Sequence, residues 1–158
     1  MTTDTLTELS QVSFFEEFLP RHMEKLTSLG SEVHFNKDEI IFRENQDSKV
    51  FYVILSGRIA LEANVAGQTY CVQTLYASDV IGWSTVLNRK KPFQARALDP
   101  VRVLAYELST IRDACRSNPY FGCAFFEKLL TVMAECLEGT RVHLVEALAG
   151  GKAGAGGV

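Results

Sequence analysis

Three histidines and four cysteines are the residues of this 158-residue chain whose types point first to metal or nucleophilic chemistry. A metal-dependent oxygenase needs a His-x-His pair, with further His or carboxylate ligands brought together on neighbouring strands. His22, His34 and His143 stand in three separate segments without that spacing. His22 and His143 read as surface residues of helices, and His34 alternates with Val33 and Phe35 and so faces away from them. Cys71, Cys115, Cys123 and Cys136 form no C-x-x-C pair and sit in apolar strand-like or helical contexts, which reads as buried structural thiols. No Gly-x-Ser-x-Gly elbow, Walker loop or Cys–His nucleophile signature is present. The expectation is a protein that is not an enzyme and holds no metal.

The elements that would position any site are legible in the apolar pattern. Phe51 to Leu55 is a strand-like run broken by Ser56-Gly57 and resumed in alternation through Leu61, the mark of two strands joined by a tight turn. Asp38 to Asn45 precedes it, and Thr69 to Tyr76 follows a second turn at Gly67. Period-two patterning fills Glu32 to Glu107, punctuated by Gly57, Gly67 and Gly82, with helices only at the ends; this predicts an α+β, mainly β chain built on a small β-roll or barrel. A length of 158 residues suits one domain, and 47 % hydrophobic residues suffice for a core. The net charge of −3 argues against a free-standing nucleic-acid binder. No apolar run approaches the ~20 residues a bilayer span requires, and no charged-then-apolar leader opens the chain, so a cytoplasmic location without membrane contact is expected.

At the ends, Met1 to about Gln11 reads as a polar, fraying start. Val12 to Leu19 reads as a short helix stopped at Pro20, and Arg21 to Leu29 as another closed by Gly30. Leu108 to Ser117 is a short helix, Asn118-Pro119 a break, and 119–149 a long helix. Residues 1–149 form one domain, and 150–158 a flexible Gly/Ala tail. On the long helix Phe126, Leu130, Met133, Leu137, Thr140, Leu144 and Ala147 keep a 4-3-4-3-4-3 spacing, the seam of a left-handed coiled coil. A second stripe of Phe121, Phe125, Leu129, Val132 and Cys136 lies beside it in the first half only. That combination predicts a root packed on its own domain and a stem that pairs with a second copy; the bland alternative is one wide stripe covering the roll.

The ordered series of motifs resembles the cyclic nucleotide-binding domain of the catabolite activator and kinase regulatory-subunit families. Asp38-Glu39-Ile40-Ile41-Phe42-Arg43-Glu44-Asn45 resembles the family's G-E-x-I-F-x-E-G-D strand and turn. Phe51 to Ile59 resembles its L-Y-x-V-L-x-G-x-V hairpin, and Asp79-Val80-Ile81-Gly82-Trp83 the G-D-x-F-G-E opening of its phosphate-binding cassette. Arg96 to Leu104 is similar to the strand pair that follows. The resemblance implies an eight-stranded, jelly-roll-like β-roll flanked by N-terminal helices and a long C-terminal dimerisation helix.

The same resemblance sets the candidate ligand site at Gly82, Trp83, Ser84, Thr85, Arg89, Lys90, Lys91 and Arg96. Trp83 stands where cyclic nucleotide binders carry a Glu for the ribose hydroxyl, a trait that resembles a group of stand-alone bacterial members. Lys91 or Pro92, depending on the direction of alignment, stands where those binders carry an Arg for the cyclic phosphate. A lysine supplies charge without the bidentate guanidinium fork, so cAMP-type recognition is weakened. Gly82 to Asn88 would form a short helix whose first N–H groups suit an anion, with Ser84 and Thr85 adding hydroxyls and Arg89 to Lys91 adding charge. Against this, Ser84 serves equally as a turn cap, and three adjacent cations serve equally as a solvated loop. Trp83 either stacks on a planar ligand or plugs the cavity as core.

The chain thus reads as a non-enzymatic cytoplasmic sensor domain, without resident cofactor, that takes a cyclic nucleotide or other small anion and signals through a dimer helix to an unknown protein partner. Family transcription factors continue into a helix-turn-helix; here the last nine residues are mostly Gly and Ala, so direct DNA binding is not expected. The alternatives are a ligand-free dimeric scaffold and the sensor fragment of a longer transcription regulator. Haem, held by some relatives, would have only Cys71 and His34 as strand ligands.

Overall fold

A computed structural model of the protein describes residues 3–154. Eight strands form two four-stranded antiparallel sheets. The first, ordered β1-β8-β3-β6, takes Ser31–Phe35, Val101–Glu107, Val50–Ser56 and Val80–Ile81. The second, ordered β2-β7-β4-β5, takes Ile40–Phe42, Gln94–Ala97, Ile59–Val65 and Gln68–Leu75. The interior between them is apolar: Phe42, Ile59, Leu75, Ala95 and Ala97 from one sheet meet Ile54, Ile81, Val101 and Val103 from the other.

Strand β3, in the middle of the first sheet, is covered on both faces, which explains its unbroken apolar run. Ile54 points into the roll, while Phe51 and Val53 point away from it toward the helices, as a period of two requires. There they join Leu104 and Tyr106 of β8 under α2 (Pro20–Leu29), α3 (Leu108–Ser117) and the root of α4 (Pro119–Gly154). Phe51 stacks on Tyr106 at 5.4 Å between ring centroids, and Phe125 of α4 lies 6.0 Å from Phe51. The break before α4 is a cap. Asn118 Oδ1 accepts a hydrogen bond from the Phe121 backbone N–H at 3.2 Å, and Pro119 takes the first helical position, where no donor is needed.

Two turns demand their glycines. Gly57 has φ +86°, and a Cβ there would meet the Pro100 carbonyl oxygen at 2.5 Å. Ala66 and Gly67, both at positive φ, make the tight turn between β4 and β5.

The terminal helices differ from the sequence expectation. The start is helical, α1 at Thr3–Ser10, with Met1 and Thr2 outside the described residues. Val12 to Leu19 is not one helix: only Ser13–Phe15 form a 3₁₀ turn, and Val12, Phe14, Phe15 and Phe18 are all buried in the core that faces the helices. Pro20 opens α2 rather than stopping a helix. Arg102 of β8 pairs bidentately with Glu8, at 2.6 and 3.2 Å, and ties α1 to the roll. Helix α4 continues past Ala149 to Gly154, into the expected tail; 155–158 lie outside the described residues.

Candidate functional site

The cassette lies between β6 and β7. Gly82, at φ +76°, turns the chain into a five-residue 3₁₀ helix, Trp83–Leu87, closed by Asn88 in the left-handed region. Thr85 Oγ1 donates to the Ser48 carbonyl at 3.0 Å and so fastens this helix to the loop that leads into β3. Ser84 is buried, and its hydroxyl finds no partner among the described residues. Trp83 is half-buried and packs on the core that faces the helices, not on the interior of the roll.

The three cations expected to act together are divided. Arg89 and Lys90 are exposed, whereas Lys91 is 1 % exposed. Its ammonium donates to the carbonyl oxygens of Gly82 at 2.8 Å and Val50 at 3.2 Å, and most closely to the Thr85 hydroxyl. It also lies 5.1 Å from the centroid of the Phe42 ring, a cation–π distance. The Lys91 backbone is held as firmly, accepting from the Asn45 N–H at 2.8 Å and donating to the Gln46 carbonyl at 3.3 Å. Burial pushes the Lys91 pKa down to about 8.

Arg96 does not join this group. Alternation sets it on the face of β7 opposite Ala95 and Ala97, where it pairs with Glu62 and, at 3.1 Å, with Asp38. Glu62 is 4 % exposed and also accepts from Gln94 at 3.1 Å. The Arg96 bond holds the Glu62 carboxyl below its ordinary pKa. A polar cleft of about 210 Å³ opens beside this pair, lined by Arg43, Glu44, Glu62, Asn64 and Thr69 among others. The Glu62 contribution was not apparent in the sequence; its only signal is a charge inside the alternation of β4.

Other expectations are corrected. His22 is buried, with its ring 5.8 Å from that of Phe121, because α2 turns this side toward α4. No cysteine is buried: Cys71 and Cys123 are exposed, and Cys115 and Cys136 are half-buried free thiols. His34 and His143 are exposed, as read from the sequence.

The two stripes of α4 separate as the spacing predicts. Phe121, Phe125 and Leu129 are buried, with Val132 packed against the same core. Phe126, Leu130, Leu137 and Leu144 are between 44 % and 67 % exposed, and Met133 is partly covered by its own domain. A groove of about 420 Å³ runs along the root, between Glu17–Phe18 and α4 from Ala124 to Thr131. Among the described residues no helix is long and apolar enough to cross a membrane, and no group of His, Cys, Asp and Glu is arranged to hold a metal ion.

Comparison with known proteins agrees with this architecture. No curated protein matches the sequence. A cyclic nucleotide-binding domain from Methylobacillus flagellatus superposes with a TM-score of 0.83 at 13 % identity, over 91 % of this chain and 84 % of that one. The catabolite activator protein of Thermus thermophilus superposes at 0.70 with 18 % identity, over 86 % of this chain and 62 % of its own. The regulatory domain of Toxoplasma gondii PKA, solved with cAMP, does so at 0.65 and 14 %, over 72 % and 45 %. Residues 32–118, more than half of the chain, match the family described as the cyclic nucleotide-binding domain, and the chain belongs to that family.

Proposed function

We propose that this chain is a non-enzymatic regulatory domain that works as a homodimer paired through α4. The observation that carries the reading is the exposed seam of Phe126, Leu130, Leu137 and Leu144 on a helix whose other stripe is anchored in the core. Four exposed apolar side chains in coiled-coil register, on a helix of 36 residues and hence about 54 Å, match the face that a second copy would cover. The route from cassette to seam is short. Arg112 of α3 donates to the Val86 carbonyl at 3.2 Å, and α3 meets α4 so closely that a Cβ on Gly122 would lie 3.1 Å from that of Cys115. A displacement of the cassette would therefore move α3 and α4 together, provided that an effector binds the two arrangements with different affinity.

The buried, unpartnered Ser84 hydroxyl favours a second element of this reading, a small anionic or nucleotide-like effector held in the 82–96 segment. Such an effector would meet Ser84, Arg89 and Lys90 rather than Lys91 or Arg96, whose charges are engaged within the protein. It would not be recognised as cAMP is by a ribose carboxylate and a phosphate guanidinium. A cytoplasmic location accords with this role.

The test is the mass in solution by light scattering. The wild-type chain should show twice 17.6 kDa, and Leu137→Glu, which sets a charge in the seam, should return it to the single mass with unchanged circular dichroism. A wild-type chain that stays at the single mass through the micromolar range overturns the reading.

A further inference from the structure

We infer that the cassette is built around a cation site whose permanent occupant is the Lys91 ammonium, so that the protein carries its own ligand for the closed cassette. The site has the features of a bound cation. Oxygen acceptors from three parts of the chain converge on Nζ: the Gly82 carbonyl at the cassette turn, the Val50 carbonyl at the start of β3, and the Thr85 hydroxyl in the 3₁₀ helix. The Phe42 ring covers the site at 5.1 Å.

The backbone is shaped for it. Gly82 lies so close that a Cβ would stand 2.7 Å from Nζ, leaving the carbonyls free to approach the charge. Three accepting oxygens and an aromatic face suit a compact alkylammonium, which donates three N–H bonds, and not a planar guanidinium.

The consequence is regulatory. Lys91 joins the 43–48 loop through its backbone and the start of β3 and the 3₁₀ helix through its ammonium, and the Thr85 hydroxyl to which it donates bridges the same three segments. The closed arrangement therefore does not wait for an external anion. An effector therefore acts on a cassette that Lys91 already latches. The inference concerns the cassette named in the proposed function but does not depend on dimerisation, so a monomeric chain would leave it standing.

Trp83 is the sole tryptophan, and its emission reports on the cassette directly. Lys91→Ala at pH 7 should shift that emission to the red and speed amide exchange across residues 82–88. Millimolar n-propylammonium, which restores the three missing carbons and the ammonium, should reverse both changes, while equal sodium chloride should not. Lys91→Met, which fills the volume without charge, should fold, keep the red shift and ignore propylammonium; it carries the test if the alanine variant does not fold. Wild-type emission and exchange in Lys91→Met, or a reversal in Lys91→Ala that sodium chloride matches, would overturn the inference.

Discussion

Alanine at Gly82 and alanine at Gly67 should have unequal costs, and the difference measures the Lys91 contact. Both glycines lie in the left-handed region, at φ +76° and +80°. An L-residue there costs about 1–2 kcal/mol from its Cβ against the backbone. At Gly67 nothing lies within 4 Å of the added carbon, so that strain is the whole effect. At Gly82 the same carbon stands 2.7 Å from Lys91 Nζ and 3.3 Å from the Val50 oxygen. The ammonium must withdraw, and losing one charged hydrogen bond in a buried site costs about 1–3 kcal/mol more. Urea unfolding should therefore give a loss of about 2–5 kcal/mol for Gly82→Ala, by adding those two ranges, and about 1–2 kcal/mol for Gly67→Ala. In a Lys91→Met background the excess at Gly82 should shrink, since no ammonium remains to be displaced, and the double-mutant cycle isolates the coupling. Equal losses at the two glycines, or an excess that the Lys91→Met background leaves undiminished, would refute the argument that Nζ is held in place.

Two further outcomes follow from packing and charge. The folded Lys91 titrates near 8 and the unfolded lysine near 10.5, so the unfolded chain holds more protons between those values and stability rises with pH there. The rise is at most about 3 kcal/mol; subtracting the Lys91→Met curve from that of the wild type between pH 7 and 10.5 should reveal it, and a flat difference would contradict it. Phe125→Ala removes a ring buried between Phe51 and Phe121 and should cost about 3–5 kcal/mol in the same unfolding assay. A loss under 1 kcal/mol would mean that α4 is not rooted there.

The roll was legible in the sequence because strand period, turn glycines and the doubly apolar β3 all agree, and the α4 stripes because two faces of one helix differ in length. The N-terminal segment was not. Phe14, Phe15 and Phe18 suit a helix by composition and spacing, yet the chain buries them with Val12 around one 3₁₀ turn, and the apolar pattern does not distinguish the two. At the candidate site, Gly82 and the 3₁₀ helix were readable from the turn residue, but the direction of each cation was not. Lys90 and Lys91 are adjacent in an irregular loop with no periodicity to assign faces; one is solvated and its neighbour is buried, a choice made by the oxygens of Val50 and Gly82 from other parts of the chain. Arg96 differs: its strand parity, fixed by Ala95 and Ala97, is legible and sets it outside the roll, but only the buried Glu62 shows its partner.

Calorimetric titration of the folded wild-type protein with cAMP tests most directly whether the Lys91 charge belongs to the fold and not to a phosphate. The account predicts no saturable heat at micromolar nucleotide, for the wild type and for Lys91→Met alike. Saturable one-to-one binding that Lys91→Met abolishes would contradict it, because the ammonium would then be leaving Gly82, Val50 and Thr85 to meet the ligand.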